Sequence, residues 1–464
     1  MPSAHIQLSD HFSFSKLGRF TWPSVIMMVV SALYGVVDGV MVSNFVGKTA
    51  FAALNLIYPF VGLLSAFGFM FGTGGSALVA KVLGEGKKDK ANEIFSFLTF
   101  TLITLSVLLG GLGLIFLEDI AKLLGAEGQM IPLCKEYAQI LLATLTPYVL
   151  QVYFQSFLVT AERPKFGMWL VVAAGVTNVV LDALFIAVFD WGLKGAAWAT
   201  AASYLVGGFI PLGYFIFKPK SDKRPLFLVS VRHFGRRLGF YARTLLHVTS
   251  NGLSEFVMNI SMQIVSMLYM YQLMATIGEN GVAAYGIIMY MTWIFVSVLL
   301  GYSVGVAPVV SFHYGAGDKA ELSSLLRKSL TVMAAFGILM PLTANILAPV
   351  LAGIFVSYDH ELWQLTVHGF RIYSLHFFFT GLNIYASSFF TSLNNGPVSA
   401  LIALCRTLLF ECGCVLLIPR IFGLEGIWWS VVVAEFIASL LSASLLFAFR
   451  NRYGYNTLPQ KSVQ

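Results

Sequence analysis

Apolar runs long enough to cross the ~30 Å hydrocarbon of a bilayer recur along the whole chain. They fall at 20–43, 51–80, 94–117, 131–160, 166–189 and 194–217, and again at 243–277, 282–312, 329–354, 364–392, 398–419 and 425–449. Their continuous apolar character suits helices rather than the alternating strands of a barrel, so the pattern predicts an all-α membrane protein with twelve transmembrane helices. One connection is long, 218–242, and it is rich in Lys and Arg and falls midway. The expected organisation is an N-lobe (1–217), a basic cytoplasmic linker (218–242) and a C-lobe (243–464).

The two halves resemble each other at an offset of about 231 residues. Gly74 to Gly86 reads GGSALVAKVLGEG and is followed by Asp89-Lys90-Ala91, while Gly305 to Gly317 reads GVAPVVSFHYGAG and is followed by Asp318-Lys319-Ala320. Gly192 to Trp198 (GLKGAAW) matches Gly423 to Trp429 (GLEGIWW), and Ser156-Phe157 matches Ser388-Phe389. An even number of spans separates the copies, so both halves keep one orientation, as parallel repeats do. Two pseudo-symmetric six-helix lobes around a V-shaped central cleft suit a secondary transporter.

Composition narrows the class further. Of 464 residues, 58% are hydrophobic and 11% charged, where soluble domains carry roughly 25% charged residues. Mean hydropathy is +0.79. A disordered chain, a secreted disulfide scaffold and a cytosolic enzyme are excluded. The four cysteines, Cys134, Cys405, Cys412 and Cys414, lie in or beside apolar runs and imply neither disulfides nor a zinc site. No cleavable signal peptide is expected in the polar stretch Met1 to Phe20. With both termini cytoplasmic, 22 of the 29 Lys and Arg lie inside and five outside (Lys48, Lys122, Lys135, Lys194, Arg420), with Arg371 and Arg406 in spans. The net charge of +7 is then a topology effect, and nucleic acid is not an expected partner.

Intramembrane charges cost roughly 2.5–3.5 kcal/mol each on insertion scales and mark function by default. They are Asp38, Asp182, Glu255, Arg406, Glu411 and Glu435. At 1.5 Å per residue Asp38 lies about 27 Å into span 1 and Asp182 about 24 Å into span 5, while Tyr137 and Thr200 enter from outside to about 9 Å. Four polar residues from four spans of one lobe thus share a level. Tyr34 and Asn178 each sit four residues before an aspartate, on the same helix face. Two carboxylates held together in a dry site cannot both ionise easily and take up protons as a coupled unit. The same oxygens suit sodium; a purely structural pair that ties helices together is the alternative.

In the second half, Arg406, Glu411 and Glu435 are read as a charge cluster that either holds the lobe together or meets a cationic substrate with Glu255. Met258, Met262 and Met289, with the aromatic tenth span and its His376 and Asn383, suit a pliable cation-binding cavity or ordinary packing. Pro23 is expected to kink span 1. Cys412-Gly413-Cys414 places its sulfurs on different helix faces, so no metal is expected. Gly72 to Gly75 and Gly315 to Gly317 are not phosphate loops, which leaves ion gradients as the energy source. His247 and His376 stand in no catalytic motif, and no enzyme is expected.

This constellation resembles the MATE family of multidrug and toxic-compound extrusion antiporters, in its MepA- and DinF-like bacterial type. The likeness covers essentially the whole chain: Pro23 fifteen residues before Asp38, Asn178 to Asp182 as an N-x-x-x-D, and Thr200 eighteen residues further on. It implies cation coupling at Asp38, Asn178, Asp182, Thr200, Tyr34 and Tyr137. In the NorM branch the coupling site instead uses a glutamate in helix 7 and an aspartate in helix 10. Glu255 is similar to that glutamate, but the tenth span here has no carboxylate. The expected function is H+- or Na+-coupled antiport of amphipathic, often cationic organic compounds across the cell membrane. No cofactor is expected, the lipid bilayer and small organic cations are the partners, and the protein is expected to be a monomer. The alternative is a lipid-linked oligosaccharide flippase of the same superfamily, which the buried acidic excess disfavours.

Overall fold

The computed structural model describes residues 6–46, 48–126, 128, 130–217, 225–228, 238–356 and 359–455. The basic linker 218–242 therefore lies outside the described residues except for 225–228 and 238–242. Among the described residues the chain is helical throughout, with no strand.

The first half contains α1 (Phe14–Met41), α2 (Lys48–Gly84), α3 (Lys88–Ile115), the short α4 (Leu117–Leu123), α5 (Met130–Ala143), α6 (Leu145–Thr160), α7 (Pro164–Asp182) and α8 (Gly192–Ile216). The second contains α9 (Leu238–Ile277), α10 (Glu279–Ala316), α11 (Lys319–Val356), α12 (His360–Tyr373), α13 (Phe377–Ser392), α14 (Gly396–Leu404), α15 (Cys412–Leu417) and α16 (Pro419–Tyr453). Among the described residues, ten helical segments are long and apolar enough to span a membrane, and α5 with α6, bent by 56°, makes an eleventh if the pair is one span. The expected span 364–392 falls on α12 and α13, joined through a 3₁₀ turn at Ser374–His376.

Two predicted spans are thus broken. Pro147 has no N–H to donate to Ala143, so the helix stops and restarts with the proline in its new first turn. Arg371 sits exposed in the last turn of α12, which is amphipathic rather than uniformly apolar. Pro23 is buried inside α1, which continues unbroken from Phe14 to Met41.

Among the described residues, three π-helical stretches interrupt the spans: Val42–Val46 after α1, Ala183–Val188 after α7, and Cys405–Glu411 between α14 and α15. The first begins four residues after Asp38, the second directly after Asp182, and the third runs through Arg406 to Glu411. A widened turn re-aims the side chains around it and is common at functional sites. Each intramembrane charge of α1, α7 and the α14–α15 segment is therefore next to, or within, a backbone irregularity.

The buried apolar residues form two main clusters. One draws on residues between Val42 and Val248. The other draws on residues from Val265 to Tyr455, together with Leu8, Phe12, Leu17, Phe20, Val25, Met27, Val159 and Val171. The start of α1 and the segment before it thus pack into the second half's core. The halves meet where α1 runs along α10, α2 along α9, and α2 along α10. These contacts repeat with the sequence offset. A Cβ at Gly84 would collide with the Phe312 carbonyl, and one at Gly315 with the Lys81 carbonyl. Adding 231 to 84 and to 81 gives 315 and 312, so one contact is the other with the halves exchanged. Gly74 against Gly252 and Gly305 against Thr21 form a second such pair. Glycine is needed there because backbones touch.

A site of unpartnered oxygens beside a central cavity

A cavity of about 670 Å³ lies between the halves. It reaches from Leu124 and Met267, near one face of the molecule, down to Ser76, Ala307 and Thr391. Beyond that depth the glycine crossings bring α2 and α10 together, on the face that carries the segment before α1 (the N-terminal face). The volume suits a drug-sized molecule, for which ligand pockets run roughly 300–1,000 Å³.

On the first-half wall, Tyr34, Asp38, Asn178 and Thr200 line the cavity, while Tyr137 and Asp182 stand behind it. α1 and α7 pack together, as do α7 and α8, which brings the three carriers into one place. Asp38 and Asp182 have neighbouring carboxyls. Tyr137 lies beside Thr200 and near both acids. Asn178 donates from Nδ2 to Thr200 Oγ1 at 3.3 Å. Asp38 Oδ1, both oxygens of Asp182, Asn178 Oδ1 and the Tyr137 hydroxyl are buried, with no hydrogen-bond partner among the described residues. Asp182 is 0% exposed and Asn178 1%. Buried acceptors without donors are expensive, and a cluster of them calls for an explanation. Tyr34 is a layer apart, beside Gln151 and Ser31.

The second-half wall is different. Arg406 donates from Nε and Nη2 to Glu435 Oε1 at 2.7 and 2.6 Å. Asn383 Nδ2 donates to Glu435 Oε2 at 2.6 Å and Ser442 donates to Asn383 Oδ1 at 2.8 Å. Both carboxylate oxygens are satisfied, so this chain ties α13, α16 and the π turn together. Glu255 lies within electrostatic reach of Arg406, and Glu411 within reach of Glu435 and Arg406. Of the second-half candidates, Glu255, Met258, Met262, Asn383 and Arg406 line the cavity, whereas Met289, His376, Glu411 and Glu435 do not. Met289 packs against the apolar core. His376 holds the Tyr373 carbonyl through Nδ1 at 2.6 Å.

Sequence reading missed an aromatic group on the first-half wall: Tyr58, Tyr148 and Tyr204 with Gln151. Tyr148 and Tyr204 stack at 4.1 Å with 12° between ring planes. The available signal was Tyr148, Gln151 and Gln155, spaced three and four residues apart in an apolar run, a polar stripe on one helix face.

Two half-bundles with exchanged contacts, an irregular backbone at membrane depth and a cavity at their interface define a polytopic membrane protein of the secondary-transporter class. The chain matches the MatE family model over residues 23–184 and 255–413, and it belongs to that family. It is 24% identical over 440 residues to the multidrug export protein MepA of Staphylococcus saprophyticus, covering 95% of this chain and 94% of that one. With MepA of Staphylococcus aureus the identity is 21% over 445 residues and 96% of each chain. Among solved structures, an outward-facing multidrug resistance MATE transporter superposes with a TM-score of 0.88 at 23% identity, over 98% of this chain and 99% of that one. A MOP superfamily transporter from Pyrococcus furiosus, reported with a binding pocket of reverse polarity, gives 0.87 at 23% identity over 98% and 100%. These likenesses establish the twelve-span fold.

Proposed function

We propose that the protein is a multidrug exporter of the cell membrane. It exchanges H+ or Na+ for amphipathic, often cationic organic compounds by alternating access. The observation that carries this reading is the group of five buried oxygens on Asp38, Asp182, Asn178 and Tyr137, which have no hydrogen-bond partner among the described residues, at the edge of an open cavity. In the reading, residues 1–217 and 243–464 are the two lobes, 218–242 joins them, and the N-terminal face is cytoplasmic because the basic residues gather there.

A cation entering from the cavity side neutralises the acid pair. The charge on Asp38, on the cavity wall, is then no longer available to a cationic substrate. Ion and substrate therefore bind in alternation, and each weakens the other by the same factor. The wall offers a substrate the carboxylates of Asp38 and Glu255, the faces of Tyr58, Tyr148 and Tyr204, and the pliable Met258 and Met262. Arg406 is the one basic residue among the described lining residues, and Glu435 already neutralises it. That balance favours cationic cargo over the phosphates of a lipid-linked oligosaccharide. The test is efflux of a fluorescent organic cation from liposomes under an imposed ion gradient. Asp38→Asn and Asp182→Asn should each lose the gradient's effect while remaining folded; gradient-driven efflux at the native rate in either variant overturns the coupling role.

A further inference from the structure

The end of α16 carries positive charge that neither the ion site nor the cavity uses. After Glu435 the chain has no acid, while Arg450 and Arg452 stand in the last turn of α16. Each guanidinium lies over aromatic rings. Arg450 Cζ is 3.3 Å from the Phe447 ring centroid, and Arg452 Cζ is 5.7 Å from those of Phe449 and Tyr453. Stacking occupies the face of a guanidinium and leaves its N–H edge, the edge that takes a phosphate bidentately. Arg450 Nη1 is buried and has no hydrogen-bond partner among the described residues.

Two lysines from other helices join them. Lys81, in the last turn of α2, sits 5.3 Å from the ring centroid of Tyr314 in α10, and that ring meets Tyr453 edge-on at 5.7 Å. Arg452 is within electrostatic reach of Tyr314. Lys319, the first residue of α11, packs its side chain against Gly454 and leaves no room there for a Cβ. Among the described residues none of these four cations has an acceptor or an ion-pair partner. The acids beside the lysines in sequence are engaged elsewhere: Glu85 with Lys87, Asp318 with the Glu321 amide and His313, and Glu321 with the Phe12 amide and His11. Complementing a helix dipole accounts for cations in a last turn, but Lys319 begins its helix, where a cation is unfavourable.

We propose that this end of α16, with Lys81 and Lys319 beside it, is a binding surface for the phosphodiester headgroups of anionic phospholipids in the leaflet at the N-terminal face. Depth assigns the phosphate to a lipid. Phe436, Leu440 and Phe447 form an exposed apolar strip along one side of α16. Arg450 comes three residues past the end of that strip, about 4.5 Å along the axis, where hydrocarbon gives way to headgroups. The stacked arginines offer paired N–H donors to the phosphate oxygens, and the lysines add point charges. The proposal goes beyond the exchanger reading and does not depend on it.

The experiment titrates the purified full chain in detergent with phosphatidylglycerol, phosphatidylcholine or inorganic phosphate, and counts bound molecules by native mass spectrometry. Phosphatidylglycerol should bind, and phosphatidylcholine, whose headgroup has no net charge, should not displace it. Arg450→Gln with Arg452→Gln should weaken phosphatidylglycerol binding about 25-fold, about fivefold for each charge lost from the surface. The charge-matched pair Arg19→Gln with Arg327→Gln, exposed on the same face outside the patch, should weaken it by less than about fivefold. If the double arginine variant fails to fold, Lys319→Gln at its exposed position decides, with an expected loss of about fivefold. A folded patch variant with native affinity, or an equal loss in the Arg19 and Arg327 pair, overturns the proposal. Displacement of the lipid by inorganic phosphate at comparable concentration also overturns it, by assigning the surface to a soluble anion. The measurement requires no transport, so its failure and failure of the coupling reading are separately visible.

Discussion

At the residue scale, the two halves treat their buried carboxylates in opposite ways. Glu435 has every oxygen engaged by Arg406 and Asn383. Asp182 has none engaged among the described residues. The first arrangement is a structural tie and the second, in the proposed reading, is where the coupling ion binds, and substitution should separate them. Arg406→Met leaves the Glu435 carboxylate uncompensated and should destabilise by roughly 3–5 kcal/mol, while Arg406→Met with Glu435→Leu should recover most of the loss. Thermal unfolding in detergent reads both; equal losses in the single and double variants would show that the pair is not the strut described. Asp182→Asn, by contrast, removes an unpaired buried charge and should leave the melting temperature equal or higher. The sequence announced these residues by cost alone, since acids in apolar runs stand out. It could not say which acid had a partner, because Arg406 and Glu435 are twenty-nine residues apart and meet only through the packing of α16 on the π turn.

At the element scale, lengths and positions of the spans followed from hydropathy, but their breaks did not. Pro23 predicts a kink in the first span and Pro147 carries no expectation; the helix stops and restarts just before Pro147, whereas the helical run of α1 continues through Pro23. Proline removes one hydrogen bond in either place, and packing decides the outcome: Thr21, Ser24 and Val25 around Pro23 are seated against Gly301 and Gly305 of α10. The π turns beside Asp38 and Asp182 left no sequence signal. The glycines did, and their spacing carries a prediction. Gly84→Ala and Gly315→Ala each place a methyl against a carbonyl of the other half, at sites related by the repeat. Each should disfavour closure of the N-terminal face by roughly 1–3 kcal/mol. Labelling of Ser76→Cys, at the cavity floor, by an impermeant thiol reagent added on that face should accelerate in both variants; unchanged labelling would mean that the crossing is not the seal.

For the whole molecule, the repeat read from a few glycine-containing matches predicted two lobes of one orientation, and the exchanged contacts of Gly84 with Phe312 and Gly315 with Lys81 are its three-dimensional counterpart. The division is not clean, because the segment before α1 and the start of that helix lie in the second half's core. A hydropathy profile has no means of showing that crossing. The exchanger reading joins the scales: a residue cluster that wants a cation, helices that position it at a cavity wall, and halves able to part at either face. Its most direct test is efflux of a fluorescent organic cation from liposomes under a proton gradient alone and then a sodium gradient alone, for the native protein and Asp38→Asn. The account predicts acceleration under one of the two gradients, lost by about 5–150-fold in the variant, the range of ordinary site–site coupling. Equal acceleration in Asp38→Asn, or no response of the folded native protein to either gradient, would contradict it.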